Sequence, residues 1–292
     1  MPIEKLMGLF NLRGTYERIK HFDDDDYYDV WRVQVDDKKY IIKKTKEFEA
    51  DIYNTIFKEG EKFVPEYFGK AYLDGNVLFE NEYIMIENIE GENLNYCTRE
   101  KLIKFLDALI FLQDKYWQNE TFNNICYNVK NSLLDRIERG KFIKDEKIER
   151  YYEKYLNLYK NAPRTLCNDD MLPFNALVNE ENSVIIDWEE SGILPYLNSF
   201  ARFISHTEEK ADALFYMKEA DKAFAVEYYY EHLLKKKGIE YQEYREQLNL
   251  FTIYEYCEWI MLYNKYENAS REMYEKYKAK AYKLIDDIES EN

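Results

Sequence analysis

Two stretches of this sequence decide its fold: residues 166–178, LCNDDMLPFNALV, and residues 184–189, VIIDWE. In the first stretch, Asp170 lies five residues before Asn175, which leads directly into a short apolar run. In the second stretch, Asp187 follows a run of apolar residues. Two short apolar runs around a polar turn predict a β-hairpin, and this hairpin would bring Asn175 and Asp187 to one edge.

The hairpin, expected from 176–178 and 184–186, carries residue types that suit phosphoryl transfer. Mg²⁺ prefers hard oxygen ligands and keeps several waters, so the Asn175 amide oxygen and the Asp187 carboxylate are a suitable pair. Asp170, on the loop before the hairpin, can accept the proton of an incoming hydroxyl. Transfer from a nucleotide also needs a cation on the phosphates and an anchor for that cation, which must come from elsewhere in the chain.

The first 90 residues or so predict a small antiparallel sheet with one inserted helix. The period-2 pattern is clearest in 30–35, where Trp31, Val33 and Val35 share one face. The other expected elements are a short helix or ordered tail over 1–12, a strand over 16–22 before an acidic turn at Asp23–Asp26, a hairpin turn at Asp36–Lys38, a strand over 39–44, a helix around 47–56, and a second hairpin formed by 66–73 and 77–87.

After Gly91 the pattern changes to long helices. Thr98 can cap a helix whose apolar residues fall on one stripe. These residues are Leu102, Phe105, Leu106, Leu109, Leu112 and Trp117. A second helix is expected over 144–160, ended by Pro163, and the rest of the chain after 186 reads as helical with Gly238 as the expected break. The sequence therefore predicts an α+β protein with an N-terminal lobe of residues 1–89 and a C-terminal lobe of residues 90–292.

The two deciding stretches resemble the catalytic and metal loops of the aminoglycoside phosphotransferase and choline kinase superfamily, relatives of the protein kinases. Those loops are written H-G-D-x-x-x-x-N and I-D-W/F-E/G, and the run 192–203 is similar to the family's segment after the metal Asp. The resemblance implies that Asp170 is the catalytic Asp, that Asn175 and Asp187 bind Mg²⁺, and that ATP or GTP is the co-substrate. It also implies a two-lobed protein-kinase-like fold with a small sheet lobe and a large, mainly helical lobe.

The same resemblance implies a nucleotide site in the N-terminal lobe. Lys43, at the end of YIIK (40–43), fits the phosphate-contacting Lys, with Lys44 as its competitor. Glu49 fits the helix Glu that pairs with this Lys, with Glu47 as its competitor. Because side chains alternate along a strand, Ile41 shares the face of Lys43 and should lie against the nucleotide base.

The hinge between the lobes is expected in YIMIENIEG (83–91), which resembles the family's linker. By this resemblance, backbone groups of Glu87 and Ile89 hydrogen-bond the base, and Ile86 lies behind it.

Two departures from the family pattern leave alternatives open. Asn168 and Asp169 stand where the family carries His and Gly, so Asp169 competes with Asp170 for the catalytic position. The residue five after Asp169 is Phe174, which cannot bind metal, and this favours Asp170. The acidic turn at Asp23–Asp26 replaces a small, polar phosphate-covering loop.

These departures favour an alternative function, a catalytically degenerate kinase-like binding protein. Retention of Lys43, Asp170, Asn175 and Asp187 favours the enzyme. A protein kinase is disfavoured, because Trp-Glu rather than Phe-Gly follows Asp187.

Composition restricts the partners. A net charge of −16 disfavours nucleic acid and anionic membranes and weakly favours a cationic acceptor such as an aminoglycoside or amino alcohol, while sugars and nucleosides stay open. Four cysteines without C-x-x-C spacing and three histidines disfavour a zinc site. Such cysteines are typical of reduced thiols, so the cytoplasm is expected. Neither a signal peptide nor an apolar run approaching the ~18 residues of a membrane span is recognised. The sequence leaves the oligomeric state open.

The helices after Asp187 contain further candidates for an acceptor pocket. Four acids could line a pocket for amines, although each alone is more typical of a solvated or capping acid. They are Glu189, Glu190, Glu255 and Glu258. Trp259 and Tyr263 share a helix face that is more typical of core than of a stacking platform.

Overall fold

The computed structural model describes residues 2–20, 26–45, 48–73, 81–122, 127–266 and 268–290. Within these residues the protein has a small antiparallel sheet in its N-terminal part and a larger, mainly helical C-terminal part. The predicted two-lobed α+β fold is confirmed, while the exact boundary between residues 89 and 90 stays a prediction.

The N-terminal lobe is a five-stranded sheet with one helix before it and one helix inserted in it. Its elements are α1 (Pro2–Leu9), β1 (Thr15–Lys20), β2 (Tyr27–Val35), β3 (Lys38–Lys44), α2 (Glu49–Thr55), β4 (Tyr67–Tyr72) and β5 (Glu82–Glu87). The strands lie in the order β1-β2-β3-β5-β4, and each neighbouring pair is antiparallel. The predicted sheet and both helices are therefore confirmed.

Several expected features lie outside the described residues. These are the acidic turn Asp23–Asp26 except for Asp26, the residue Glu47 that competes with Glu49, and the tip of the second hairpin at 74–80.

Side-chain alternation gives the sheet two different faces. Trp31, Val33 and Ile42 are buried in a cluster with Ile3 and Leu6 of α1, so α1 covers one face. On the other face, Ile41 and Ile86 belong to the main core, which continues into the helical lobe. Lys43 follows Ile41 by two residues in β3 and therefore points toward the helical lobe.

The C-terminal lobe contains long helices and short strands. Its elements are β6 (Glu92–Asn93), α3 (Arg99–Lys115), α4 (Val129–Gly140), α5 (Glu146–Asn161), β7 (Arg164–Asn168), β8 (Ala176–Val178), β9 (Ser183–Ile185), β10 (Ser191–Pro195), α6 (Leu197–Ser205), α7 (Glu219–Tyr229), α8 (Tyr241–Lys265) and α9 (Arg271–Ser290). The Thr98 side chain caps α3 by accepting from the backbone amide of Lys101, as expected. The predicted apolar stripe of α3 is buried up to Leu112, whereas Trp117 lies beyond the end of the helix.

The predicted hairpin is present as β8 and β9, and β6 extends it to three strands. Two other strands, β7 and β10, were not predicted, and they pair with each other over their full lengths. Every residue of β10 is buried, so the alternation that signals a half-buried strand is missing from its sequence. Helix α4 was also missed.

The prediction that the C-terminal region is helical with Gly238 as its only break is wrong. Gly238 does interrupt the helices, with a φ of +76° that suits glycine. Two further non-helical connections follow α6, over 206–218, and α8, between Lys265 and Arg271. No helix in the described ranges combines the length and apolarity needed to cross a bilayer.

Candidate active site

The β8–β9 hairpin places Asn175 and Asp187 side by side. Ala176 pairs with Ile185, and the amide of Ile186 donates to the carbonyl of Asn175 at 2.9 Å. Asp187 follows directly and has a φ of +60°, a left-handed conformation that few residues other than glycine adopt. Strain of this kind persists where the surrounding structure imposes it, most often at functional sites.

Asn168, which stands where the family pattern has His, ties the loop of Asp170 to the loop of Asp187. The nitrogen of its side chain donates to the backbone carbonyls of Ile186 at 3.3 Å and Asp187 at 2.9 Å. Its side-chain oxygen accepts from the amide of Asp170 at 2.9 Å. This buried amide therefore fixes the backbone of both loops at once.

Asn175 is oriented by the same loop. Its side-chain nitrogen donates to the carbonyl of Asp170 at 2.7 Å, which leaves the side-chain oxygen as the atom that can bind a cation. The side chain is buried, so its orientation is fixed by packing as well as by this bond.

Lys43 connects the two lobes. Its ammonium lies 3.1 and 2.9 Å from the two oxygens of Glu49 and 2.5 Å from Asp187 Oδ1. Burial lowers the pKa of Lys43, but the charges of Asp187 and Glu49 outweigh this effect and hold the pKa above its ordinary value. Lys43 is therefore charged, and the structure brings it together with Glu49, its predicted partner, and with Asp187, the predicted metal ligand.

The cleft around Lys43 holds more negative than positive charge. Carboxylate oxygens of Glu49, Asp187 and Glu189 lie within 4.8 Å of one another. Burial raises the pKa of Glu49 to about 7, Lys43 only partly opposes this shift, and Asp187 adds to it. A hard cation bound by oxygen ligands would relieve the excess, so this donor set, together with Asn175, fits Mg²⁺.

Asp170 is held by an arginine of α6. Arg202 Nη2 donates to Asp170 Oδ1 at 2.8 Å, and Arg202 Nη1 donates to Glu255 at 3.0 Å. Burial raises the pKa of Asp170, and the Arg202 charge opposes this effect. About a third of the Asp170 side chain is exposed, so it can still reach a bound hydroxyl.

Asp169, the competitor of Asp170, is engaged elsewhere. Both of its oxygens accept from Arg136 Nη2, at 2.7 and 2.9 Å, and the side chain of Asn198 donates to it at 2.7 Å. Arg136 is buried between the rings of Tyr159 and Tyr254. A carboxylate with these partners anchors the loop to α4 and α6, and this arrangement favours Asp170 as the reactive group.

Comparison with known proteins finds similarity in fold and not in sequence. No protein-family model and no curated protein matches the sequence. Choline kinase LicA from Streptococcus pneumoniae matches in structure with a TM-score of 0.58 and 14% identity over 97% of both chains. A thermostable mutant of aminoglycoside phosphotransferase APH(4)-Ia, in a ternary complex with AMP-PNP and hygromycin B, matches with a TM-score of 0.62 and 12% identity over 97% of both chains. The chain has the fold of these small-molecule kinases.

A third match shows that the likeness is not limited to one subgroup. Spectinomycin phosphotransferase APH(9)-Ia, in complex with ADP and spectinomycin, has a TM-score of 0.51 and 17% identity, over 94% of this chain and 93% of that one. The protein-kinase-like fold predicted from the resemblance is confirmed.

The segment expected to form the hinge follows β5. Ile86 is buried and pairs with Ile41 in the neighbouring strand. The amide of Glu87 donates to the carbonyl of Glu66 at 2.8 Å, so its carbonyl is the group left for a nucleotide base. Ile89 lies two residues beyond the strand and is half-buried.

Sequence reasoning missed the basic residues that hold the catalytic loop of this kinase fold. Arg202 lies in a run of apolar residues, FARFI, and Arg136 lies in a helix that was not predicted. A charged residue inside an apolar helical run is seldom buried without a partner, and for Arg202 this was the available signal. Nothing in the sequence names Asp170 or Asp169 as the partners.

Proposed function

We propose that this protein is a small-molecule kinase that transfers the γ-phosphate of ATP or GTP to a hydroxyl group. The observation that carries the proposal is the contact of Lys43 with both Glu49 and Asp187, which joins the N-terminal sheet to a residue 144 positions away. This contact puts a buried cation next to the candidate metal ligands and the loop of Asp170, the set of parts that phosphoryl transfer requires.

The N-terminal lobe, residues 1–89, binds the nucleotide. Lys43 donates to phosphate oxygens, and Glu49 holds the ammonium in place. Ile41 and Ile86 provide apolar contact for the base.

At the hinge, the carbonyl of Glu87 and the amide of Ile89 bond the edge of the base. Because these are backbone groups, they fit ATP and GTP alike.

Asn175 and Asp187 of the C-terminal lobe, residues 90–292, hold Mg²⁺. When bound, Mg²⁺ neutralises charge on the phosphate oxygens. Asn168 keeps Asp187 in its left-handed conformation through the bonds to the carbonyls of the metal loop. Lys43 then turns from Asp187 toward the phosphates while keeping Glu49.

Asp170 orients the acceptor hydroxyl and takes its proton. The acceptor oxygen bonds to the γ-phosphorus, and the bond from this phosphorus to the bridging oxygen breaks, leaving its electron pair on the nucleoside diphosphate. Arg202 holds one Asp170 oxygen at 2.8 Å, which leaves the other oxygen to accept the proton.

The test is a measurement of Mg²⁺-dependent nucleotide binding and of diphosphate release with a panel of alcohols. We expect calorimetry to show binding of ATP or GTP that needs Mg²⁺, and release that rises when an acceptor is added. If neither nucleotide binds in the presence of Mg²⁺, the proposal is wrong.

A second candidate function is nucleotide binding without transfer. It is favoured by the pairing of Arg202 with Asp170, because the guanidinium opposes the rise in pKa that burial gives this carboxyl. Binding of Mg·nucleotide, with no transfer to any alcohol and no slow hydrolysis by water, would support this candidate instead.

A further inference from the structure

A cavity of about 280 Å³ lies in the helical lobe. Arg202, which holds Asp170, lines it, and so do Leu172 and Phe174 of the loop that carries Asp170. Leu214, Phe215, Trp259 and Leu262 supply apolar wall. Its size is just below the ~300–1,000 Å³ typical of pockets for drug-sized ligands. These lining residues connect the cavity to the loop of Asp170.

The charged groups of this cavity are paired with one another. Arg139 is paired with Glu258, and Lys276 lies 2.8 Å from Glu208. Arg202 is paired with Asp170 and with Glu255.

Two of the four acids considered for an amine pocket, Glu255 and Glu258, are therefore already neutralised by arginines. Burial lowers the pKa of His206, which also lines the cavity and is therefore neutral at pH 7. The cavity thus holds no excess negative charge to receive several ammonium groups.

The apolar wall includes an aromatic surface. Trp259 is half-buried and stacks on Tyr277, with ring centroids 5.7 Å apart and planes inclined by 11°. Lys276 and Lys280 lie within 5.6 and 4.9 Å of the Tyr277 ring, so cations already contact that ring. A flat uncharged ring in the cavity would gain contact with the exposed part of Trp259.

We infer that the acceptor of this kinase is a small amphipathic alcohol with a flat, uncharged ring, and that it binds in this cavity with its hydroxyl toward Asp170. The inference rests on the proposed function and names its acceptor class. It replaces the weak expectation of a cationic acceptor. The chain as a whole has a net charge of −16, but the residues that line the cavity have no excess of negative charge.

The first experiment compares acceptors by kcat/KM in a diphosphate-release assay. Uridine and tyrosol represent ring-bearing alcohols, while choline and hygromycin B represent cations. We expect a preference of about tenfold or more for a ring-bearing alcohol, which is the size that one aromatic contact can provide. A preference for choline or hygromycin B would overturn the inference and leave the proposed function intact.

The second experiment uses Trp259→Ala, with Tyr263→Ala as the matched control on the same helix. Tyr263 stacks on Tyr274, and neither ring lines the cavity. Trp259→Ala should raise KM for the better ring-bearing alcohol about tenfold and leave KM for the nucleotide unchanged, whereas Tyr263→Ala should change neither. Equal effects of the two substitutions on the acceptor would overturn the inference.

Direct binding separates failure of this inference from failure of the proposed function. Saturation-transfer NMR of uridine and tyrosol, without nucleotide, reports on the cavity alone. Binding that is lost in Trp259→Ala, in a protein that transfers no phosphate, would support the cavity assignment and reject the kinase. If neither alcohol binds the wild-type protein, the inference is wrong whatever the enzyme does.

Discussion

The two sides of Asp170 balance their charges differently. On the proposed nucleotide side, Lys43 faces the carboxylates of Glu49, Asp187 and Glu189. On the acceptor side, the arginines and the lysine of the cavity each have a carboxylate partner. The residues around Lys43 therefore have an excess of negative charge that a further cation could neutralise, and the residues of the cavity have no such excess.

The largest effect should come from the residue between the two sides. Asp170→Asn keeps an oxygen for Arg202 but removes the base, so turnover should fall by ~10²–10⁴-fold while nucleotide affinity stays nearly unchanged. The measurement is steady-state phosphate transfer together with calorimetry of nucleotide binding.

Asp169→Asn is the matched control for this loss of activity. Because Asp169 neutralises the buried Arg136, this substitution should lower the free energy of unfolding more than Asp170→Asn does. If Asp170→Asn retains most of the activity and Asp169→Asn does not, the register of the catalytic loop is off by one.

Substitution of Lys43 tests the excess of negative charge on the nucleotide side. Lys43→Met leaves the fully buried Glu49 carboxylate without its cation, and the free energy of unfolding at pH 8 should fall by about 3 kcal/mol. Lys44→Met, one residue along β3, should change it by less than about 0.5 kcal/mol. Turnover should fall further in Lys43→Met than in Lys44→Met. The reverse order would show that the strand register is wrong.

Substitution of Asp187 tests whether the carboxylates around Lys43 help to bind a metal ion. Asp187→Asn should weaken Mg²⁺-dependent nucleotide affinity by an amount on the order of a hundredfold, because a ligand is lost. Calorimetric titration with and without Mg²⁺ measures the change. An unchanged Mg²⁺ dependence would remove Asp187 from the metal site.

The smallest expected effect is the pH dependence of stability that comes from Glu49 on the nucleotide side. The pKa of Glu49 in the folded protein, about 7, lies above its ordinary 4.5. Folding therefore favours the protonated form, and the stability that Glu49 contributes is lost as the pH rises through this window.

Comparison of the wild-type protein with Glu49→Gln isolates this contribution, since Lys43 keeps Asp187 as a partner in the variant. In urea unfolding from roughly pH 5.5 to 8, the wild type should lose more stability than the variant as the pH rises. Parallel curves would contradict a raised pKa at Glu49.

Much of the nucleotide side followed from the sequence, because its signals are local. An Asn and an Asp flanking a short hairpin can be recognised from spacing alone. Asn175 and Asp187 were named in this way, whereas Lys43 was named through the resemblance to the phosphotransferase family, and the roles of all three stay predictions. The positive φ of Asp187 could not be foreseen, because a residue other than glycine adopts this conformation only when the surrounding tertiary structure imposes it.

The acceptor side could not be predicted in the same way. Its residues come from α4, α6, α8, α9 and the connection at 206–218, and no spacing relates one of these segments to another. Trp259 lines the cavity rather than lying wholly in the core, because α9 packs beside α8 and leaves this side of the ring half-exposed.

The sequence by itself determined the antiparallel sheet of the N-terminal lobe, the β8–β9 hairpin, and the positions of Asp170, Asn175 and Asp187 around that hairpin. Strand alternation, helix periodicity and hairpin turns are set by interactions between residues close in the chain. Only the tertiary structure decided that Arg136 neutralises Asp169, that Arg202 holds Asp170, and that the acids of α8 are paired. Charge pairing depends on distances between elements far apart in the chain, and those distances exist only after the helices have packed.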